Sequence, residues 1–223
     1  MEPPSPDDVW AAITTEPTTG VSIVDLEGKL LFVNEQAVRI YVGGDTQPDN
    51  IVNRHLSDFL PNDFVEERMA ILRQVAEDHK PRLIRSIWRG YQHLAWVYPL
   101  DADGEEEHTE APVDRLLVIT RRTAERGDEL ESPRQNAYEF VHAEVGDLGP
   151  LEVLSRRELV VLALLGQGLT LKEVAERVHR SLKTVQTQRD SIGRKLNVRN
   201  RSELQEIILR AGLTLRDVEE QNR

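Results

Sequence analysis

Four helix caps between Ser155 and Glu203 constrain the C-terminal part of this 223-residue chain more than any other feature. Ser155-Arg-Arg-Glu158 and Thr170-Leu-Lys-Glu173 have capping-box spacing. In such a box the first side chain accepts the N3 amide and the Glu returns to the cap's own N–H. Ser181 and Asn200, the latter followed by Glu203, supply two more caps. Gly166 and Gly168 stop the first helix and Gly212 the last. Starts this close leave room only for short helices and tight turns, each helix burying one stripe. The stripes are Leu159, Leu162 and Leu165; Val174, Ala175 and Val178; Val185, Ile192 and Leu196; and Leu204, Ile207, Ile208 and Ala211. An all-α, four-helix domain over residues 150–213 is expected.

The third helix, Ser181 to Leu196, carries the chemistry. Opposite its apolar stripe stand Lys183, Gln186, Thr187, Asp190 and Arg194. These are groups of the kinds that read base edges or hold phosphates. On pattern alone an ordinary solvated helix face explains them equally well. The charge distribution bears on the choice. The whole chain has net charge −11, yet residues 151–223 hold 14 Lys+Arg against 10 Asp+Glu, leaving 14 against 29 for the other 150 residues. A basic C-terminal part beside an acidic remainder suits one nucleic-acid-facing domain.

LSRRELVVLALLGQGLTLKEVAERVHRSLKTVQTQRDSIGRKLNVRNRSEL resembles the LuxR/GerE-type helix-turn-helix domain, also found in the NarL and FixJ response regulators. Leu154, Ser155, Arg157, Glu158, Leu162, Gly168, Lys172, Glu173, Ala175, Ser181, Lys183, Thr184, Val185, Arg194, Lys195, Leu196, Val198 and Arg201 carry the match. The resemblance implies that the second helix touches phosphates, the third enters the major groove and the fourth makes much of the dimer contact. Base contacts are therefore expected from Lys183, Gln186, Thr187, Asp190 and Arg194. Phosphate contacts are expected from Thr170, Lys172, Gln188, Arg189, Lys195, Arg199 and Arg201, and dimer contacts from Ile207, Ile208 and Ala211. Gln186 and Gln188 replace the common Lys and His of the family's run, which weakens cationic contact but keeps hydrogen bonding. Asp190 puts an acid on the groove face, to be explained by readout of a cytosine amino group or by pairing with Arg194 at i+4. No receiver-like segment is recognisable, so aspartyl phosphorylation is not implied.

The N-terminal part reads differently. Residues 1–19 are a Pro-rich lead-in with a short helix at Asp8–Ile13. Val21–Asp25 and Lys29–Val33 form a hairpin across a Leu26–Lys29 turn, and Asn34 caps a helix through about Val42. Pro61 opens a helix to about Glu77, and β-type runs follow at Arg82–Arg89, Gln92–Leu100 and Arg115–Arg122. Asp101–Pro112 is an acidic, solvated loop, and residues 125–149 are a linker with a short helix at Arg134–Val145. The run GVSIVDLEGKLLFVNEQAVRIY, with its Asp25, Gly28, Leu30 and Asn34, resembles a PAS domain, to which residues 15–124 correspond. That resemblance implies a sensory, dimerising α+β module that in some cases holds a cofactor between sheet and helices.

The fold class expected is thus α+β: a PAS-like antiparallel sheet with helices, then the all-α helix-turn-helix domain. No cysteine is present, which removes disulfides, thiolate metal sites and cysteine nucleophiles and suits a reducing cytoplasm. No apolar run reaches the ~18–20 residues of a membrane span, and the acidic, Pro-rich start is no secretory signal. His55, His79 and His93 lack metal-ligand spacing, and Trp88 and Trp96 suit core packing as well as a ligand cavity. Gly166-Gln-Gly168 lacks the spacing of a phosphate-binding loop. The expectation is a cytoplasmic, non-enzymatic transcriptional regulator binding double-stranded DNA as a homodimer, with no metal and no cofactor, an unidentified small ligand of the PAS-like domain staying open. The alternative is a ligand-binding or enzymatic protein whose C-terminal helices mediate only protein contacts.

Overall fold

The computed structural model describes residues 5–101, 113–124 and 138–220. The chain divides into two compact units. One comprises Met1–Arg85, Leu94–Arg121 and Asn136–Ala143; the other comprises Ser86–His93, Arg122–Gln135 and Glu144–Arg223.

In the first unit, α1 (Pro6–Thr15) starts at a capping box of Ser5 and Asp8. β1 (Thr19–Asp25) and β2 (Leu30–Val33) pair antiparallel. Their turn is fixed by Asp25, whose Oδ1 accepts the amides of Glu27 and Lys29 at 3.0 and 2.8 Å. Gly28 is required there: its φ is +93°, and a Cβ would lie 2.7 Å from His55 Nε2. Asn34 then caps α2 (Glu35–Tyr41) and does more than cap it. It is 7% exposed; its Oδ1 accepts the amides of Val21 and Ala37, and its Nδ2 donates to the carbonyls of Thr14 and Thr19, all within 2.8–2.9 Å. One buried amide, fully satisfied, ties the ends of α1, β1 and α2 together.

Short 3₁₀ turns at Pro48–Asn50 and Leu56–Asp58 lead to α3 (Asn62–Asp78). Then come β3 (Arg82–Trp88), β4 (Tyr91–Asp101) and β5 (Val113–Arg122). The strand order in the sheet is β2-β1-β5-β4-β3-β6, where β6 is Glu139–His142. Val24, Leu30, Val33, Ala37, Val38, Val65, Met69, Leu72, Val75, Ile84, Val97 and Leu116 form one core shared by the sheet, α2 and α3. This is the PAS-like layering expected from the sequence.

Two expectations fail here. Where a short helix was expected at 134–145, residues Glu139–His142 form strand β6, paired parallel with β3 in the register Arg82↔Glu139 to Arg85↔His142. Phe140 and Val141 suit a strand, and the edge of β3 offers backbone partners that a lone turn of helix would leave unused. The sheet is therefore mixed rather than wholly antiparallel. Residues 134–137 of that expected helix and most of the expected acidic loop, residues 102–112, lie outside the described residues.

In the second unit, a 3₁₀ turn at Gly149–Val153 precedes α4 (Arg156–Gly166), α5 (Leu171–Arg177), α6 (Leu182–Lys195) and α7 (Arg201–Ala211). The caps at Ser155, Thr170, Ser181 and Asn200 all form as the sequence predicts. Gly212 ends α7 at φ +53°, donating its amide to the Ile208 carbonyl. A fifth helix, α8 (Leu215–Glu220), follows; Asp217 accepts the Thr214 amide and hydroxyl at 2.7 and 2.6 Å. Helix α4 packs on α6, α7 and α8, and α5 packs on α6. Their core contains Leu159, Leu162, Val174, Val185, Ile192, Leu204, Ile208, Ala211 and Val218. Within this unit the guanidinium groups of Arg122 and Arg210 both lie over the Tyr91 ring, 4.2 and 5.0 Å from its centroid.

Candidate nucleic-acid interface

Helix α6 begins where Ser181, in extended backbone geometry, accepts the Thr184 amide on its hydroxyl at 3.1 Å. Val185 and Ile192 are 0% exposed and fix which face turns inward. Helical periodicity then sends Lys183, Gln186, Thr187, Asp190 and Arg194 outward, and all five are exposed. The residues expected to read bases thus share one accessible face, along a helix whose inner side is anchored.

Two side chains on that face are already engaged. Thr187 donates its hydroxyl hydrogen to the Lys183 carbonyl at 2.9 Å, so it presents a methyl group and an oxygen acceptor. Asp190 accepts from Arg189 Nη1 at 2.8 Å, not from Arg194 as the i+4 spacing suggested. The long Arg189 side chain reaches its sequence neighbour across the surface, with side-chain exposures of 39% and 64%. An exposed pair of this kind contributes only about 0–1 kcal/mol.

The expected phosphate contacts divide into two groups. Lys172, Arg199 and Arg201 are exposed, and Arg189, Arg194, Arg199 and Arg201 line one cleft at the end of α6 with Asp190 as its acidic member. Lys195 behaves differently: its Nζ bonds Glu158 Oε2 at 2.7 Å. Thr170 donates its hydroxyl to Glu173 Oε2 at 2.8 Å as part of its own cap. Gln188 stands on the flank of α6, its Oε1 buried and without a partner among the described residues. These three are committed to the protein's own packing more than the sequence indicated.

Glu158 is the residue that sequence reasoning undervalued. It closes the α4 capping box, accepting the Ser155 amide and hydroxyl at 2.7 and 2.8 Å, and it also holds Lys195. Burial alone raises its carboxyl, but the Lys195 ammonium, the Ser155 amide and the hydroxyls of Ser191 and Ser155 outweigh it and bring the pKa to about 2. The start of α4 is thereby fastened to the last turn of α6. Leu182 was also overlooked. Three residues before the buried Val185, it is 43% exposed on the first turn of α6.

The dimer expectation meets a packing constraint. Ile208 and Ala211 are 4% and 0% exposed and belong to the unit's own core, while Ile207 is half-buried. The exposed apolar side chain on α7 is Leu209, at 41%.

The first unit contains a cavity of about 80 Å³ lined by Val24, Leu30, Val38, Tyr41, Phe64, Arg68, Leu72 and Val97, among others. Tyr41 hydrogen-bonds Thr120 at 3.0 Å, and burial pushes its hydroxyl pKa up. The Arg68 guanidinium lies 4.4 Å from the Phe64 ring centroid and pairs with Glu67. As it stands the cavity admits only a molecule of a few heavy atoms, being smaller than the ~150 Å³ apolar cavity known to hold benzene. Neither Trp88 nor Trp96 lines it. His55 is structural: Nε2 donates to the Glu27 carbonyl and Nδ1 faces Ser57, each at 2.7 Å. His79 ends α3 in the left-handed region. His93 is buried, and desolvation with the nearby Arg122 charge lowers it to about 4. Among the described residues no three His, Cys, Asp or Glu side chains gather as a metal site, and no helix is long and apolar enough to cross a membrane.

Residues 152–208 match the model of the luxR family of bacterial regulatory proteins. The oxygen regulatory protein NreC of Staphylococcus carnosus is 36% identical over 107 residues, covering 45% of this chain and 49% of that protein. Its Staphylococcus epidermidis counterpart is 32% identical over 108 residues, covering 45% and 50%. The chain therefore spans about half the length of these relatives. Among solved structures, the Vibrio cholera VqmA–ligand–DNA complex aligns with 98% of this chain and 94% of its own, at 15% identity and a TM-score of 0.51. That likeness concerns the fold.

Proposed function

We propose that this chain, whose residues 152–208 form a luxR-family helix-turn-helix domain, is a DNA-binding transcriptional regulator and not an enzyme. The observation that carries the reading is the exposed row Lys183, Gln186, Thr187, Asp190 and Arg194 on a helix anchored by buried Val185 and Ile192. In this reading α6 lies in the major groove and that row faces base edges. Lys172, Arg189, Arg199 and Arg201 neutralise phosphates and supply sequence-independent affinity. The acidic remainder of the chain repels the duplex and so orients the basic face toward it.

One recognition helix spans only a few base pairs, so the active species is a homodimer on a two-fold site with half-sites about one helical turn apart. The PAS-like sensory domain, expected at 15–124, takes in β6 from the segment expected to be linker, and the DNA-binding domain, expected at 150–213, takes in α8. The cavity beside Tyr41 and Arg68 is the place for a small effector, and the protein works in the cytoplasm with its DNA. The names of the relatives, an oxygen regulatory protein and a protein crystallised with ligand and DNA, support a sensing regulator.

Selection of bound duplexes from a random pool tests this. The expected product is a two-fold symmetric sequence bound by two chains. A pool that gains no consensus after repeated rounds contradicts it.

A further inference from the structure

A second cleft in the DNA-binding unit, about 520 Å³, opens between the end of α4, the start of α5, the first two turns of α6 and the start of α7. Its lining joins two chemistries. Leu165, Leu171, Leu182, Leu204 and Ile208 form an apolar surface, and Lys172, Arg189 and Arg201 bring three cations to it. Gln186, Gln205 and Thr170 are its other side chains of polar character, and among the described residues no carboxylate lines it. The Arg189 charge is partly answered by Asp190 at 2.8 Å, outside the lining.

Phosphodiesters would engage the cations and leave the leucines unused. Leu182, 43% exposed among cations at the mouth of a groove-binding helix, is what the DNA reading does not absorb. A ligand that answers both features has an apolar body and one anionic group: the body removes leucine surface from water and the anion pairs with Lys172 or Arg201. The volume lies in the range of small-molecule sites, which are mostly apolar with a few placed polar groups.

We propose that this cleft binds a small amphipathic anion, a medium-chain or aromatic monocarboxylate, and that its occupation excludes duplex DNA. The exclusion rests on the DNA-binding reading above, because Lys172, Gln186 and Arg189 would serve both ligands. The binding itself does not. Complementarity of charge selects a carboxylate over a neutral lipid or an amine, in a chain whose net charge of −11 otherwise repels anions.

Calorimetric titration of the full chain with octanoate, 1-octanol and acetate, without DNA, tests the site. Octanoate is expected to bind at least tenfold more tightly than either control, since 1-octanol lacks the anion and acetate the apolar body. Leu182→Gln, an exposed substitution whose folding is checked by circular dichroism, is expected to weaken octanoate about tenfold. Octanoate is then expected to raise the apparent Kd for a selected duplex, while acetate at equal ionic strength does not. Octanoate binding no better than a control, or unchanged in Leu182→Gln, overturns the site. Octanoate bound with no effect on the duplex overturns the exclusion. A chain that binds octanoate but no duplex refutes the DNA reading and leaves the site standing.

Discussion

Replacing Glu158 by Gln keeps the shape of the side chain and removes its charge. In the folded protein the carboxylate accepts the Ser155 amide and hydroxyl and the Lys195 ammonium at 2.7, 2.8 and 2.7 Å, and it is 5% exposed. Its pKa falls from 4.5 to about 2. At about 1.4 kcal/mol per pKa unit, this bounds the charge-dependent stabilisation near 3 kcal/mol. Lys195 is 40% exposed, so solvent screens part of the pair and about 2 kcal/mol is the working value. The folded pKa is depressed, so the contribution is complete above about pH 4.5 and disappears as pH falls toward about 2. Urea unfolding followed by far-ultraviolet circular dichroism, at pH 7 and at intervals down to pH 3, is the assay. Glu158→Gln should lose about 2 kcal/mol at pH 7, and its stability should fall less steeply than the wild type's below pH 4.5. A variant within 0.5 kcal/mol of wild type, or one with the same acid slope, refutes the assignment of Glu158 as the tie between α4 and α6.

Other substitutions probe separate parts of the account. Asn34→Ala removes a cap and strands the Val21 amide and the Thr14 and Thr19 carbonyls; a loss of about 2–4 kcal/mol in chemical denaturation is expected. Lys172→Ala should weaken selected and scrambled duplexes alike and reduce the salt slope of binding by about 1 per chain. Thr187→Ala should instead narrow the gap between the two duplexes by about 1–3 kcal/mol per contact, read by fluorescence anisotropy. Asp190→Ala should raise affinity for scrambled DNA and flatten preference at one C·G position per half-site; an unchanged preference at every position would exclude base readout by this carboxylate.

What the sequence disclosed was local chemistry. The Asp25–Lys29 turn, the Asn34 cap and the four caps of the second unit depend on residues a few positions apart, and each formed in the expected place. The outward face of α6 was legible because Val185 and Ile192 set its phase. Interactions over long separations were not. β6 exists because β3, far earlier in the chain, offers an edge, and Lys195 turns to Glu158, 37 residues away, rather than outward. Ile208 and Ala211 were read as both core and dimer surface, and packing assigned them to the core. Helix α8 has a legible cap in Thr214-Leu-Arg-Asp217, just past the Gly212 stop that ends α7.

The central claim is that the face of α6 reads DNA sequence. Its most direct test is anisotropy of the full chain on a selected duplex and on its scrambled counterpart across a salt series. Affinity for both should fall with salt, and their ratio should stay large, on the order of 10³ or more. Lys183→Ala with Thr187→Ala should collapse that ratio while leaving affinity for the scrambled duplex within a few-fold. Equal affinity for the two duplexes at every salt concentration, or a ratio untouched by the double substitution, contradicts the claim.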